Sequence, residues 1–228
     1  MVSIVMTVFN GEKHLCKSIE SVLNQTYRNF EFIIVNDGST DSTNAILQNY
    51  ASQDNRIVVI NNEHKGIPYS ANLGVSQANG DFVARIDHDD IWMPHKLEHQ
   101  LKFLESNPDI ALLGSSVIPV DINGEVDSRF SRLFNNGEEF DSKRFRATIL
   151  RNCLICHSSS IYRKDAFKTL GGYNTSFNTS LDYELWTRFA SKYKCFIDKE
   201  PLVYYRIWHG NISRSEEHTS ELQSRQVI

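Results

Sequence analysis

The chain has 228 residues, of which 40% are hydrophobic and 11% aromatic, so it can bury one sizeable core. Its formal net charge of −4 argues against a nucleic-acid-binding protein, because such proteins usually carry a basic stripe. Its four cysteines are too few and too scattered for a disulfide framework, which favours a reducing, cytoplasmic compartment.

The first half of the chain alternates between apolar runs and segments with helical spacing. The first run, VSIVMTVF at residues 2–9, is too short for a signal peptide or a membrane span, so it predicts a buried strand. Further strands are predicted at residues 30–36, 56–61, 81–87 and 110–118. Apolar residues three or four apart predict helices around residues 15–23, 46–50, 71–78 and 97–104. This alternation predicts an α/β fold, with a mostly parallel central sheet and helices on both faces.

The second half of the chain is less regular. Residues 119–146 are polar and contain Asn-Gly turn signals, so they predict a long loop, which is usually functional or mobile. A strand is predicted at 158–163, a turn at Gly171–Gly172, a helix from about Asp182 to Tyr193, and two short strands at 195–198 and 202–208. Cys153 and Cys156 are separated by apolar residues without a second pair, so they are assigned to the core rather than to a zinc site.

Polar clusters follow three of the predicted strands: TVFN at residues 7–10, NDGSTD at 36–41 and DHDD at 87–90. Ligands of open α/β sheets bind outside the carboxyl ends of the strands. The sequence therefore predicts a binding site where these clusters meet.

The DHDD cluster has the residues for a divalent cation. Asp87 and Asp89 point the same way if the extended backbone persists to Asp89. Such paired carboxylates suit Mg²⁺ or Mn²⁺, which take one or two carboxylates together with substrate phosphates. An EF-hand is excluded, because the central glycine and the distal glutamate are missing. The alternative is a solvated acidic turn in which Asp90 caps the next helix.

Four segments together resemble the family 2 glycosyltransferases, above all the bacterial cell-envelope sugar transferases. The resemblance covers roughly residues 2–208, with the motifs in the order and spacing of the family. It implies a GT-A fold and an inverting, metal-dependent transfer of a sugar from a nucleotide-diphosphate donor. The segments are VSIVMTVFNGEKHLCKSIESVLNQTYRNFEFIIVNDGSTD, KGIPYSANLG, GDFVARIDHDDIWMPHKLEHQLKFL and LDYELWTRFA.

The resemblance implies where the nucleotide sugar binds. Asp37 matches the residue that hydrogen-bonds the base, and a carboxylate there suits the N–H of uracil, thymine or guanine. Phe9 replaces a tyrosine that stacks on the base, with an ordinary core aromatic as the alternative. Asn72 follows Ala71, which stands where many relatives have an arginine. The implied nucleotide-sugar-binding residues are Thr7, Phe9, Asn10, Asp37, Asn72, Asp87 and Arg206.

The resemblance also implies the metal ligands and the catalytic base. Asp87 and Asp89 match the D-x-D motif, with direct ligation of Mg²⁺ or Mn²⁺ by Asp89 and a ribose or metal contact for Asp87. Asp182 in LDYELW matches the catalytic base, although Leu181 stands where the family usually has glutamate. Such a base takes the proton from the attacking hydroxyl. A simple helix cap is the alternative for Asp182.

His157 and Arg163 match a segment that borders the acceptor in the family. Trp186 is assigned to the same side, as a wall of the acceptor pocket or as part of the core. Arg206 and His209 match a C-terminal segment that closes over the diphosphate in relatives, where an arginine can pair with phosphate bidentately.

The expected organisation is one glycosyltransferase domain over residues 1–213, with a nucleotide-sugar-binding half at about 1–118 and an acceptor-side half at about 119–213. The stretch RSEEHTSELQS at 214–224 reads as a translated sequencing adapter, so residues 214–228 are expected to be a non-native tail. A genuine disordered tail is the alternative.

The sequence thus predicts transfer of a sugar to a hydroxyl of a glycan or lipid-linked saccharide in cell-envelope polysaccharide synthesis. The reaction is expected in the cytoplasm, with peripheral association at the inner face of the membrane where the acceptor is lipid-linked. One alternative is a nucleotidyltransferase acting on a sugar phosphate, but TVFNGEKHL has one glycine where those enzymes carry a glycine-rich loop. A non-catalytic nucleotide-sugar-binding protein is the other.

Overall fold

The computed structural model describes residues 1–130, 134, 137–177 and 179–207. His209, the predicted domain boundary at residue 213 and the predicted tail at 214–228 lie outside these ranges. Within the described ranges, eight strands form one sheet, against which helices pack on both faces. None of these helices has both the length and the apolar character that crossing a bilayer requires.

Strands and helices alternate through the first half of the chain, as predicted. The strands are β1 (Val2–Val8), β2 (Phe30–Asn36), β3 (Ile57–Asn61), β4 (Phe82–Asp87), β5 (Ile91–Trp92), β6 (Ile110–Val120), β7 (Ile161–Arg163) and β8 (Lys194–Arg206). The helices are α1 (Leu15–Leu23), α2 (Thr43–Gln53), α3 (Ile67–Gln77), α4 (Lys96–Ser106), α5 (Ser142–Ile149), α6 (Lys164–Thr169) and α7 (Leu181–Lys192).

The second half differs from the prediction in three places. Helices α5 and α6 were not predicted, because each is too short to show a clear apolar period. The two predicted C-terminal strands are a single strand, β8, which pairs along the whole of β6. Its polar centre, ending at Pro201, lies where the register between the two strands shifts, and such irregularities accommodate residues that a regular strand does not.

The sheet has a parallel half and a mixed half. Its strand order is β3-β2-β1-β4-β7-β6-β8-β5. The first four of these strands are parallel to one another. Strand β7 runs antiparallel to β4 and β6, β8 runs parallel to β6, and β5 runs antiparallel to β8. The predicted parallel sheet is therefore confirmed for the first half and is mixed in the second.

A hydrophobic core lies on each face of the sheet, as expected for strands that are apolar on both sides. In β1, Ile4 and Met6 face the core formed with α1, α2 and α4, whereas Val5 faces the core formed with α3, α5, α6 and α7. This alternation follows from the two-residue period of a strand. Both faces of the sheet are covered by helices, so a ligand can reach the parallel half at the carboxyl ends of its strands.

Candidate active site at the carboxyl edge of the sheet

The carboxyl ends of β1, β2 and β4 meet at one edge of the sheet, here named the carboxyl edge. In the register, Thr7 of β1 lies beside Asp87 of β4, and the last residue of β1 lies beside the last residue of β2. The three polar clusters that follow these strands therefore lie together, as predicted, and ligand binding at this edge stays a prediction. The predicted residues at this edge are Thr7, Phe9, Asn10, Asp37, Asp87 and Asp89.

The DHDD segment is a tight turn rather than a continuation of the strand. Strand β4 ends at Asp87, and the backbone N–H of Asp90 donates to the carbonyl of Asp87 at 3.2 Å. The extended backbone to Asp89, on which a common direction of the Asp87 and Asp89 side chains depended, is therefore not present. The backbone of this turn is held by contacts with three other parts of the chain.

Three residues distant in sequence hold the turn. The hydroxyl of Ser18 on α1 donates to the carbonyls of His88 and Asp90, at 2.8 and 2.6 Å. The hydroxyl of Ser158 accepts from the N–H of Asp87 and donates to the Asp90 carboxylate. Arg206, at the end of β8, donates from Nε to the carbonyl of Asp89 at 2.9 Å. We call these three residues the brace.

Asp90 belongs to the brace contacts rather than to the open part of the site. Its side chain is 1% exposed and accepts from the Ser158 hydroxyl and the N–H of Arg206. Burial and the neighbouring charges of Asp89 and Asp87 raise the pKa of this carboxyl. Through its bonds to Ser158 and Arg206, the buried Asp90 carboxylate links the turn to these two residues.

Asp87 is held in its ionised form. Its side chain is 32% exposed and lies 3.5 Å from the Arg85 guanidinium and 3.3 Å from Nδ1 of His157. Burial acts to raise the pKa of Asp87, but the imidazole of His157 and the guanidinium of Arg85 outweigh it and hold the pKa below its ordinary value. The result is a fixed, partly exposed negative charge at the carboxyl edge.

The hydrogen bonds of His157 define its tautomer. Nε of Arg85 is always a donor, and it donates to Nε2 of His157 at 3.1 Å. Nε2 therefore carries the lone pair, and the proton sits on Nδ1, which faces Asp87. The Tyr173 hydroxyl also lies 2.8 Å from Nε2. His157 is 8% exposed and its Nδ1 faces Asp87, and its predicted role on the acceptor side stays a prediction.

Asp182 lies in the first turn of α7, near His157 and Asp87. Its carboxylate accepts from the N–H of Tyr183 at 2.8 Å. The N-cap of α7 is Ser180, so the alternative of Asp182 as a simple helix cap is wrong. Burial raises the pKa of Asp182 and the negative charge of Asp87 adds to the rise, although His157 and the Tyr183 N–H act against it. A carboxylate with a raised pKa is a stronger proton acceptor than an ordinary one.

Aromatic and polar side chains form the part of the carboxyl edge beside β2. Phe9 is 42% exposed, so the alternative of a core aromatic is wrong, and its ring stacks on that of His64 with centroids 4.1 Å apart. Asn10 adopts a positive φ of 52° and accepts from the N–H of Thr40 at 2.8 Å. It therefore joins the loop after β1 to the loop after β2.

The Asp37 carboxylate is buried and already accepts hydrogen bonds from within the chain. Its oxygens accept from the Ser70 hydroxyl at 2.6 Å and from the N–H groups of Lys65 and Gly66 at 3.1 and 2.9 Å. Burial acts to raise the pKa of Asp37, but these bonds and the nearby His64 lower it. The contact with a base remains a prediction, since in this structure Asp37 holds the loop between β3 and α3.

Two predicted nucleotide-sugar ligands have other partners. Both ends of the Asn72 amide are bonded to the backbone of Tyr173, each at 2.8 Å, so Asn72 joins α3 to the second half of the chain. Arg206 is 2% exposed, and its guanidinium donates to the carbonyls of Asp89, Asp121 and Ile122. Both side chains therefore support backbone in this structure, and direct binding of the donor by either residue stays a prediction.

Two predicted acceptor-side residues lie away from the open edge. Arg163 pairs with Phe82 at the start of β4, the opposite end of the strand from Asp87, and donates to the carbonyls of Ile110 and Leu104. Trp186 is fully buried among aromatic rings, 6.3 Å from the His157 centroid. Arg163 therefore ties strands to the end of α4, and Trp186 belongs to the core, the other reading given for it.

The carboxyl edge fits a divalent cation that substrate phosphates help to bind. Among the described residues, no group of three or more histidine, cysteine, aspartate or glutamate side chains is placed to hold a metal alone. Mg²⁺ needs no such cage, because it takes one or two carboxylates and completes its shell with phosphate and water oxygens. Asp87, ionised and partly exposed, and Asp89, on the braced turn, are the hard oxygen donors that suit it.

Sequence reasoning missed the residues that position the site. Ser18, Ser158, Tyr173 and His64 act through contacts between segments that are far apart in the chain. A single serine, tyrosine or histidine carries no local pattern, so these four residues could not be recognised from the sequence.

Residues 3–171 match the family model described as glycosyl transferase family 2. A Methanocaldococcus jannaschii protein named as an uncharacterized glycosyltransferase is 37% identical over 211 residues, which are 91% of this chain and 71% of that protein. The O-antigen biosynthesis glycosyltransferase WbnJ of Escherichia coli is 30% identical, over 84% of this chain and 72% of the relative.

Solved structures share the fold at lower identity. S. aureus TarS in complex with UDP-GlcNAc matches with a TM-score of 0.75 and 20% identity, over 97% of this chain and 64% of that chain. The mannosyltransferase PcManGT of Pyrobaculum calidifontis, in complex with GDP-Man and Mn²⁺, matches with a TM-score of 0.67 and 16% identity, over 88% and 54%. These matches confirm the predicted GT-A fold. The chain spans less than two thirds of each of these two structures.

Proposed function

The chain belongs to glycosyl transferase family 2, and we propose that it moves a sugar from a nucleotide diphosphate to a hydroxyl of a glycan or lipid-linked acceptor, with inversion. The observation that carries this proposal is the pairing of two kinds of carboxylate at the carboxyl edge. Asp87 is held ionised on a braced turn, while the neighbouring Asp182 has a raised pKa. The first suits charge binding, and the second suits proton transfer.

Asp89 and Asp87 would hold Mg²⁺ or Mn²⁺ together with the donor diphosphate. When bound, the cation neutralises the charge of the leaving diphosphate. The Mn²⁺ complex of the P. calidifontis enzyme supports this choice of metal. The chain itself contributes preorganisation, because Ser18, Ser158 and Arg206 fix the turn before any ligand arrives.

Asp182 is the proposed general base. It takes the proton from the acceptor hydroxyl as that oxygen attacks the anomeric carbon from the face opposite the diphosphate. One direct displacement inverts the anomeric centre and needs no covalent intermediate. The raised pKa of Asp182 suits a base that works near neutral pH, and α7 fixes its place relative to the edge.

The proposed domain covers residues 1–213, with donor binding at the carboxyl edge of the parallel half and the acceptor on the side of α7. Cell-envelope polysaccharide synthesis is the proposed setting, supported by the likeness to the O-antigen enzyme of E. coli. The reaction would run in the cytoplasm, with the chain at the inner face of the membrane where the acceptor is lipid-linked.

The test is a panel of UDP-, GDP-, dTDP-, ADP- and CDP-sugars, assayed with Mn²⁺ and with chelator, with the released nucleotide identified. Transfer that needs the cation and releases nucleoside diphosphate supports the proposal. A parallel reaction with a nucleoside triphosphate and a sugar 1-phosphate tests the alternative, because release of pyrophosphate there would identify a nucleotidyltransferase. Binding without turnover, in reactions offered a range of glycan and lipid-linked acceptors, would identify a non-catalytic binding protein. The linkage product, analysed by NMR, would show whether the anomeric centre is inverted.

A further inference from the structure

The histidine at the carboxyl edge beside β2 makes two contacts of a kind that planar heterocycles make. The His64 ring stacks on Phe9 with centroids 4.1 Å apart and planes inclined by 28°. Its Nδ1 lies 3.0 Å from the Asp37 carboxylate and 3.1 Å from the Asp37 carbonyl. Both of these atoms are acceptors, so Nδ1 carries a proton and donates it to Asp37.

The same two contacts are the ones proposed for the nucleobase of the donor. Phe9 would stack on the base, and the Asp37 carboxylate would accept a ring N–H. A stacked base on an aromatic ring and a hydrogen bond to its edge are a common combination for recognition of single bases. We propose that His64 occupies the nucleobase position in the ligand-free chain and that the base displaces it. This inference rests on the proposed function, because it takes the donor to be a nucleotide sugar.

The geometry allows His64 to leave without unfolding the loop that carries it. Its side chain is 58% exposed, so rotation about its own bonds moves the ring into solvent. The backbone around it stays anchored, since the N–H groups of Lys65 and Gly66 donate to Asp37. A Cβ at Gly38 would lie 2.8 Å from the His64 backbone nitrogen, so glycine there lets the two loops pack closely.

When the imidazole moves away, the Asp37 carboxylate loses one hydrogen-bond donor at Oδ2. Oδ1 of Asp37 keeps its bonds to the Ser70 hydroxyl and the Lys65 N–H, and Oδ2 keeps the Gly66 N–H. Oδ2 then has room to accept one further ring N–H. Uracil, thymine and guanine offer such a group at neutral pH, whereas adenine and cytosine do not. Asp37 therefore favours bases with a ring N–H, which replaces the N–H that His64 withdraws, whereas His64 itself competes with every base alike.

A side chain that occupies a ligand position lowers the apparent affinity by the fraction of chains in which the position is open. Removing the His64 ring should therefore strengthen binding. The test compares His64→Ala with a control variant, His95→Ala. His95 is the N-cap residue of α4, and its side chain is similarly exposed, at 47%. Isothermal titration calorimetry with Mn²⁺ and UDP, GDP, ADP and CDP measures each dissociation constant, and thermal melts confirm that both variants fold.

The expected result is that His64→Ala binds UDP or GDP about 3- to 10-fold more tightly than the unaltered chain, while His95→Ala stays within about twofold. ADP and CDP should bind the unaltered chain at least about tenfold more weakly. Unchanged or weaker binding by His64→Ala would overturn the inference and leave the proposed function intact. Failure of the unaltered chain to bind any of these four diphosphates, and dTDP as well, would instead refute the proposed function, and this inference with it.

A direct readout follows the imidazole itself. In NMR spectra, the ring Cε1–H signal of His64, assigned by its loss in His64→Ala, should move when UDP and Mg²⁺ are added, because the ring leaves Phe9. The His95 signal should stay unmoved in the same titration. A His64 signal that keeps its position while UDP binds would overturn the inference, since the ring would still be stacked.

Discussion

The parallel half of the sheet and its mixed half contribute to the carboxyl edge in different ways. The parallel half supplies partly exposed side chains that directly follow strands, such as Phe9 and Asp87. The mixed half and the segments joined to it supply buried groups, such as Ser158 and Arg206, that bond to the backbone of the DHDD turn. Most presenting side chains, those exposed at the edge, therefore come from the parallel half. Most supporting groups, those that bond to the turn, come from the mixed half, and Ser18 of α1 is a supporting residue from the parallel half.

This difference predicts two classes of variant. Substitution of a presenting side chain should reduce activity and leave the free energy of unfolding nearly unchanged, because partly exposed charges add little to stability. Substitution of a supporting residue should reduce both, because it leaves buried polar groups without partners. Asp182, which α7 brings to the edge from the mixed half, is the exception that should behave as a presenting residue.

The largest effect is expected for Asp182→Asn. Loss of the general base should lower kcat by about 10²- to 10⁴-fold with little change in donor binding. Asp165→Asn is a matched control, because Asp165 also lies in the first turn of a helix and accepts from the next backbone N–H. Initial-rate kinetics of both variants decide the matter, and kcat of Asp182→Asn within tenfold of the unaltered chain would exclude it as the base.

Asp89→Asn comes next. Loss of a charged metal ligand should lower kcat/KM by about 10²-fold and move the Mn²⁺ activation curve to higher concentrations, because several kcal/mol of charge stabilisation depend on the cation. Asp81→Asn, an exposed residue before the other end of β4, is the control. An activation curve that coincides with that of the unaltered chain would show that Asp89 does not bind the metal.

Ser158→Ala tests the supporting half. It removes the hydroxyl between the Asp87 N–H and the Asp90 carboxylate, so unfolding free energy should fall by about 1–3 kcal/mol. Activity should fall about tenfold, in the range typical for residues that orient metal ligands. Ser160→Ala, equally buried but bonded to the His157 carbonyl, should lower stability alone. Equal effects of the two variants on activity would argue against the brace.

The acid limb of the pH profile should be displaced. The pKa of Asp182 is raised by burial, so the base becomes protonated at a higher pH than an ordinary carboxylate. As pH falls through this raised pKa, kcat should decline about tenfold per unit. The profile of kcat at saturating Mn²⁺ and donor measures the effect. A limb at or below the ordinary carboxylate range, about pH 4, would contradict the raised pKa.

Arg163→Ala should leave activity least affected. Its guanidinium bonds to carbonyls at the amino end of the sheet, far from Asp87, so kcat and both KM values should stay within about twofold. The unfolding free energy should still fall by about 1–3 kcal/mol, because two partly buried carbonyls lose their donor. An acceptor KM raised tenfold in a normally stable variant would restore the acceptor-side role that the sequence predicted.

Much of the parallel half was predictable, because its strands and helices show clear periods and its polar clusters follow strand ends. The position of Asp87 depends only on where β4 stops, which an apolar run reveals. The roles of Asn72 and Arg206 were not predictable, since each depends on a partner more than 80 residues away. A motif match places such a residue near a site but does not tell whether its side chain contacts ligand or backbone.

The mixed half was harder to predict for a related reason. Helices α5 and α6 have eight and six residues, too few for a period to stand out from the surrounding polar segment. The continuity of β8 depends on its pairing with β6, which overrides the unfavourable Lys-Glu-Pro sequence at its centre. Tertiary pairing therefore decides local structure here, whereas in the parallel half local pattern and tertiary structure agree.

The bond from Arg206 to the carbonyl of Asp89 joins residues 117 positions apart. During synthesis the ribosome releases the acidic turn long before Arg206 is made, so a nascent chain carries the turn without one of its anchors. Enzymatic competence is consequently acquired late, only when β8 is complete. Fragments ending before residue 206 lack this anchor and are expected to hold the acidic turn less firmly than the whole chain does.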